Sequence, residues 1–114
     1  MQNIKTFSEL VSSYKTLPYP GRIFMEQRHE SNFQDSQFWV LSSKEEKDEN
    51  LIETEFGLIP ESLVAYDVSD FLFVDTFQDI IDNLLDNNPQ FSIDDIDLII
   101  KAINYYLEND DFMD

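Results

Sequence analysis

Apolar side chains fall at helical spacing in the first and last parts of the chain and in short, partly alternating runs between them, and this change of period divides it into predicted elements. The last third carries the strongest pattern. Phe77, Ile80, Ile81, Leu84 and Leu85 lie at i, i+3, i+4, i+7 and i+8 behind Asp75, a predicted N-cap with Gln78 at the fourth position. Asn87, Asn88 and Pro89 end that helix, Ser92 is predicted to cap the next, and Ile93, Ile96, Ile99, Ile100, Ile103, Tyr106 and Leu107 form a second stripe. A connection of about five residues predicts an antiparallel helical hairpin.

At the other end, Thr6, Phe7, Ser8 and Glu9 read as a capping box opening a short helix with Phe7, Leu10, Val11 and Tyr14 on one face. Leu17, Pro18, Tyr19, Pro20 and Gly21 then turn the chain. Residues 22–27 and 37–42 are predicted strands, the second rich in β-branched and aromatic residues (Phe38, Trp39, Val40), and the two are expected to pair as an antiparallel hairpin. Residues 28–36 read as a polar irregular segment and residues 43–50 as a solvated loop or a frayed helical turn. Residues 51–60 read as one edge strand, 61–70 as a short helix, and 71–74 as a buried strand. Helices at both ends with strands between them predict an α+β fold over residues 1–114 as a single domain: a small antiparallel sheet packed with an N-terminal helix and a C-terminal helical hairpin.

Charge adds a second division. The chain has a net charge of −17, yet residues 58–114 hold 14 acidic residues against one base, Lys101, while residues 1–57 hold 10 against six. Disorder is not the expectation, because 42% of residues are hydrophobic and 14% aromatic. Solubility alone needs a net charge of only roughly 2 to 8 in a small domain, so the excess suggests selection for a cationic partner. The same excess argues against nucleic acid and anionic membranes as ligands. The chain has no cysteine, no long apolar run, and no apolar stretch behind Lys5 that would read as a secretory signal, so a cytoplasmic location is expected.

The candidate partner-binding residues are the carboxylates without an evident local role: Asp67, Asp70, Asp79, Asp82, Asp86 and Asp97. Asp79, Asp82 and Asp86 fall at i, i+3 and i+7 along one helix face, either a solvated face or an anionic ridge for a partner's lysines and arginines. Asp75, Asp94 and Asp95 are accounted for by helix starts. Tyr105 is the candidate aromatic anchor, since Tyr106 lies in the apolar stripe; Trp39 is expected in the core. Asp86, Asn88, Gln90, Ser92, Asp94 and Asp97 have the spacing of a calcium loop, but Phe91 stands where glycine is needed and Asp97 where a bidentate glutamate is usual, so no metal or other cofactor is expected. Nor is catalysis: His29 is the lone imidazole, and two glycines make no phosphate-cradling loop.

Four segments together resemble a known family: Thr6 to Leu10, Leu17 to Gly21, Asp75 to Asn83, and Ala102 to Phe112. They look like the small acidic immunity proteins of bacterial contact-dependent growth inhibition systems. The resembling segments cover under half of the chain. The resemblance implies a cytoplasmic inhibitor that binds the toxic C-terminal domain of a secreted adhesin, often a nuclease such as an RNase, and blocks its active site; together with the acidic C-terminal helices it leads to the expectation of a 1:1 inhibitory complex. Immunity surfaces vary with their toxins, so it carries over no binding residue. The rival reading is an acidic DNA mimic or adaptor that binds a basic host protein without a cognate toxin.

Overall fold

The computed structural model describes residues 1–26, 36–55 and 57–112; His29, Phe56 and most of the segment read as polar and irregular lie outside the described residues. In chain order the elements are β1 (Gln2–Ile4), α1 (Phe7–Ser12), a 3₁₀ turn (Tyr14–Thr16), β2 (Gly21–Glu26), β3 (Phe38–Ser42), α2 (Ser43–Lys47), β4 (Leu51–Thr54) and β5 (Gly57–Pro60). A 3₁₀ helix (Glu61–Tyr66), β6 (Val68–Phe73), α3 (Val74–Asn87) and α4 (Ile96–Asn109) complete the chain. This is the predicted α+β class. A four-stranded antiparallel sheet has the order β1-β3-β2-β6, and β4 and β5 form a separate two-stranded sheet.

Alternation along β2 and β3 builds two cores. Ile23 of β2 and Phe38 and Val40 of β3 face a large cluster shared with Phe7, Leu10 and Val11 of α1, Phe77, Ile80, Ile81 and Leu84 of α3, and Ile99, Ala102 and Ile103 of α4. Phe24 of β2 and Trp39 and Leu41 of β3 point the other way, into a smaller cluster with Ile59, Leu63 and Val68. The sheet is therefore covered on both sides, by helices on one and by the β4–β5 hairpin with the 3₁₀ helix on the other.

A register shift in the β2–β6 pairing pairs Ile23 with Leu72 but Phe24 with Asp70, leaving Phe71 as the extra residue of a bulge. Phe71 and Leu72 consequently both enter the large cluster. Gly21 is required where β2 begins, because a Cβ there would lie 2.6 Å from the Leu41 carbonyl oxygen and 2.7 Å from that of Pro18.

Several elements depart from the sequence reading. Residues 51–60 form a hairpin rather than one edge strand, closing at Gly57, whose φ of 102° is a conformation that suits glycine. The helix expected over 61–70 is a 3₁₀ helix that stops at Asp67 in the left-handed region (φ 51°), freeing Val68 to start β6. The strand expected at 71–74 starts earlier and runs directly into α3. Phe73 thus stands at the α3 N-cap without a side-chain capping bond, and Asp75 falls in the first turn rather than at the cap. Gln78, freed from a capping role, donates to the Tyr14 carbonyl at 2.9 Å and ties α3 to the N-terminal turn.

The connection between the last two helices is residues 88–95, longer than expected, because Asp95 rather than Ser92 caps α4, its side chain accepting from the Leu98 amide at 3.2 Å. Ser92 instead accepts from the Asp94 amide within the connection. Leu107, placed on the apolar stripe by spacing, is exposed, and Ala102 takes the buried place. Residues 43–47 form a complete helical turn closed by a reciprocal capping box between Ser42 and Glu45. Among the described residues, no helix is long and apolar enough to cross a membrane.

Candidate protein-interaction surface

All seven candidate residues are exposed, but they do not form one surface. Asp70 is ion-paired with Arg22, whose guanidinium also donates to Glu46 of α2 at 2.6 Å. Arg22 lies over the rings of Phe24 and Phe73 at 5.1 and 5.6 Å. Burial works against its charge, yet the bonds to Glu46 and Asp70 outweigh burial and raise its pKa above the ordinary arginine value. Asp70 therefore has a local role, pinning β6 through Arg22 to α2. Asp82 also has one: it accepts a hydrogen bond from the Tyr14 hydroxyl at 3.1 Å. Burial first, then the bond to Asp82 and the nearby carboxylate charge, push the Tyr14 pKa upward. Asp67 lies apart, beside the β4–β5 hairpin.

The helical carboxylates form the coherent part. Asp75, Asp79, Asp82 and Asp86 occur on α3 at i, i+4, i+7 and i+11 and are all exposed, a row spanning roughly 16 Å at 1.5 Å per residue. The same periodicity that buries Phe77, Ile80, Ile81 and Leu84 turns this row outward. On α4 the structure brings Asp97 and Tyr105 together in an open groove with Ile100, Lys101, Asn104 and Glu108. Tyr105 is 41% exposed, whereas Tyr106 is half-buried against Phe112, with ring centroids 5.5 Å apart.

The helix ends separate structural from unexplained charge. Asp75 and Asp97 lie in first turns and Asp95 is an N-cap, positions where a carboxylate favours the helix. Asp86 and Glu108 lie in last turns, which have no base, so each sits where the helix dipole disfavours it. Asp79, Asp86 and Glu108 have no ion pair or side-chain hydrogen bond among the described residues, and the fold gains nothing evident from their charge.

Sequence reasoning missed two features of this surface. Phe73, expected to be buried, is 59% exposed and lines a recess with Arg22, Asp70, Thr76 and Tyr106; its apolar neighbours concealed that it ends an edge strand. Glu108 was absent from the candidate set, although its spacing of three from Tyr105 places it on the same face. Trp39 is buried as expected, its ring tilted by 40° against that of Tyr66 with centroids 5.0 Å apart. Among the described residues, no group of three or more His, Cys, Asp or Glu side chains is arranged to hold a metal ion. Comparison with protein-family models, with curated proteins and with solved structures finds no match.

Proposed function

We propose that this chain is an immunity protein that neutralises the toxin domain of a contact-dependent growth inhibition system in the cytoplasm, and that the target is a basic nuclease. Capture is by the acidic face of α3 and α4, with Tyr105 as the aromatic anchor. The observation that carries the reading is the charge at Asp86 and Glu108. Both are exposed and unpaired among the described residues, and both stand at helix ends that disfavour them, so a partner accounts for them better than the fold does.

The mechanism needs no chemistry. A nuclease cleft lined with lysine and arginine binds phosphates, and carboxylates held in a row on a helix can occupy those positions with charge-assisted hydrogen bonds. The negative field beyond the contact also speeds encounter, which suits an inhibitor that must reach its target before the target cuts.

Binding of the double variant Asp79→Lys/Asp86→Lys to the cognate toxin domain that the proposal requires tests the reading. Both positions are exposed on α3 and make no ion pair or side-chain hydrogen bond among the described residues, so circular dichroism should match the parent. Affinity at low salt is expected to fall by about 10- to 100-fold and protection of toxin-expressing cells to be lost. Undiminished affinity in a folded variant contradicts the reading.

A further inference from the structure

A separate recess lies on the other side of the sheet. The recess, of about 120 Å³, is lined by Thr54 and Ile59 of the hairpin, Val64 of the 3₁₀ helix and Val68 of β6, together with Glu55 and Asp67. Ile59 and Val68 are buried and supply apolar wall, while both carboxylates are exposed to solvent. Exposed apolar side chains stand on the same two elements: Ile52 and Leu58 on the hairpin and Tyr66 on the 3₁₀ helix.

Apolar wall combined with two carboxylates selects the occupant. A purely apolar side chain would strip water from the carboxylates without replacing its hydrogen bonds. A second copy of this chain would bring a charge of −17 against −17. A lysine or arginine side chain satisfies both parts, its methylene stem against Ile59, Val64 and Val68 and its cationic head on Glu55 and Asp67.

We infer that this recess takes a lysine or arginine side chain of a protein partner, giving the molecule a second contact independent of the α3 row. Only the identity of the partner rests on the immunity reading; the ligand class follows from the recess. The contact fixes one basic side chain in place, whereas the α3 row offers charge along a line.

The test is a two-dimensional amide NMR titration of the full chain with the capped peptide acetyl-Leu-Lys-Leu-amide, and with the same peptide carrying norleucine in place of lysine. The lysine peptide should shift the Thr54, Glu55, Val64, Asp67 and Val68 amides in a saturable way, and the norleucine peptide should not. Asp67→Asn removes the charge while suiting the left-handed backbone, since asparagine is enriched there. It should weaken binding by about fivefold or more, as should Val64→Trp, which fills the recess. The inference is overturned if no shifts appear, if norleucine gives the same shifts, if Val64→Trp binds unchanged, or if shifts spread evenly to Asp79 and Asp86. Because the titration uses no toxin, loss of the immunity reading in the Asp79→Lys/Asp86→Lys experiment would leave its result standing, and the reverse also holds.

Discussion

The two faces of the central sheet are covered to very different depths. On one side three helices close a large cluster in which Phe7, Phe38, Phe77, Ile81, Ile99 and Ile103 are fully buried. On the other a hairpin of four-residue strands and a 3₁₀ helix complete a cluster of six buried residues, and Leu51, Ile52, Leu58, Val64 and Tyr66 remain substantially exposed. Burial of apolar area is the main source of stability, so the helical side holds the fold together. The helical side can therefore bear an unfavourable row of like charges on its outer surface. The thin side has less to lose by keeping apolar groups at its surface, where they are free to contact a partner.

The largest expected effect that tests this contrast is Phe77→Ala. Phe77 is fully buried and meets Phe7 edge-on at 6.4 Å, so its loss should cost about 3–5 kcal/mol and unfold the chain as a whole in urea. Leu63→Ala on the thin side should cost less, near the lower end of about 2–5 kcal/mol, because the thin covering layer, whose Val64 and Tyr66 are exposed, can close over the gap. Native-state hydrogen exchange should then show the hairpin opening well before the four-stranded sheet. Equal loss of protection in both sheets would erase the distinction.

Arg22 links the thin side to α2, and Arg22→Met should cost about 1 kcal/mol in urea unfolding, since its pairs with Glu46 and Asp70 are partly exposed. Asp86→Lys should stabilise the chain by about 0.5 kcal/mol by placing a base in the last turn of α3, while weakening the proposed capture of a toxin. A stability gain with a binding loss separates a charge kept for function from one kept for the fold.

The smallest effect concerns pH. The folded-state pKa of Tyr14 is raised above its ordinary value of 10.0, so the folded chain holds this proton more tightly than the unfolded chain. The associated stability is fully present below pH 10.0 and is lost as pH rises from there through the higher folded value. Urea midpoints measured through that range should fall more for the parent than for Tyr14→Phe.

Much of the helical layer was legible in the sequence because its signal is local. The spacing of Phe77, Ile80, Ile81 and Leu84 identifies the buried face of α3 and, by exclusion, the outward row of aspartates. The start of α4 was not, since Ser92 and Asp95 are both good caps and packing of Phe91 and Ile93 onto the core from the connection accompanies the use of the later one. The covering of the second sheet face was also hidden. Strands as short as β4 and β5 carry little pattern, and the Phe71 bulge depends on pairing with β2. Which carboxylates are engaged could not be read locally either: Asp70 and Asp82 meet Arg22 and Tyr14 from 48 and 68 residues away.

The proposed capture of a basic partner by the exposed aspartates of α3 and α4 is best measured by stopped-flow association with the cognate toxin domain that the proposal requires, across a series of ionic strengths. The rate is expected to fall by about 10- to 1,000-fold as screening sets in, with a much flatter dependence for Asp79→Lys/Asp86→Lys. An association rate indifferent both to salt and to those two substitutions would contradict the proposal.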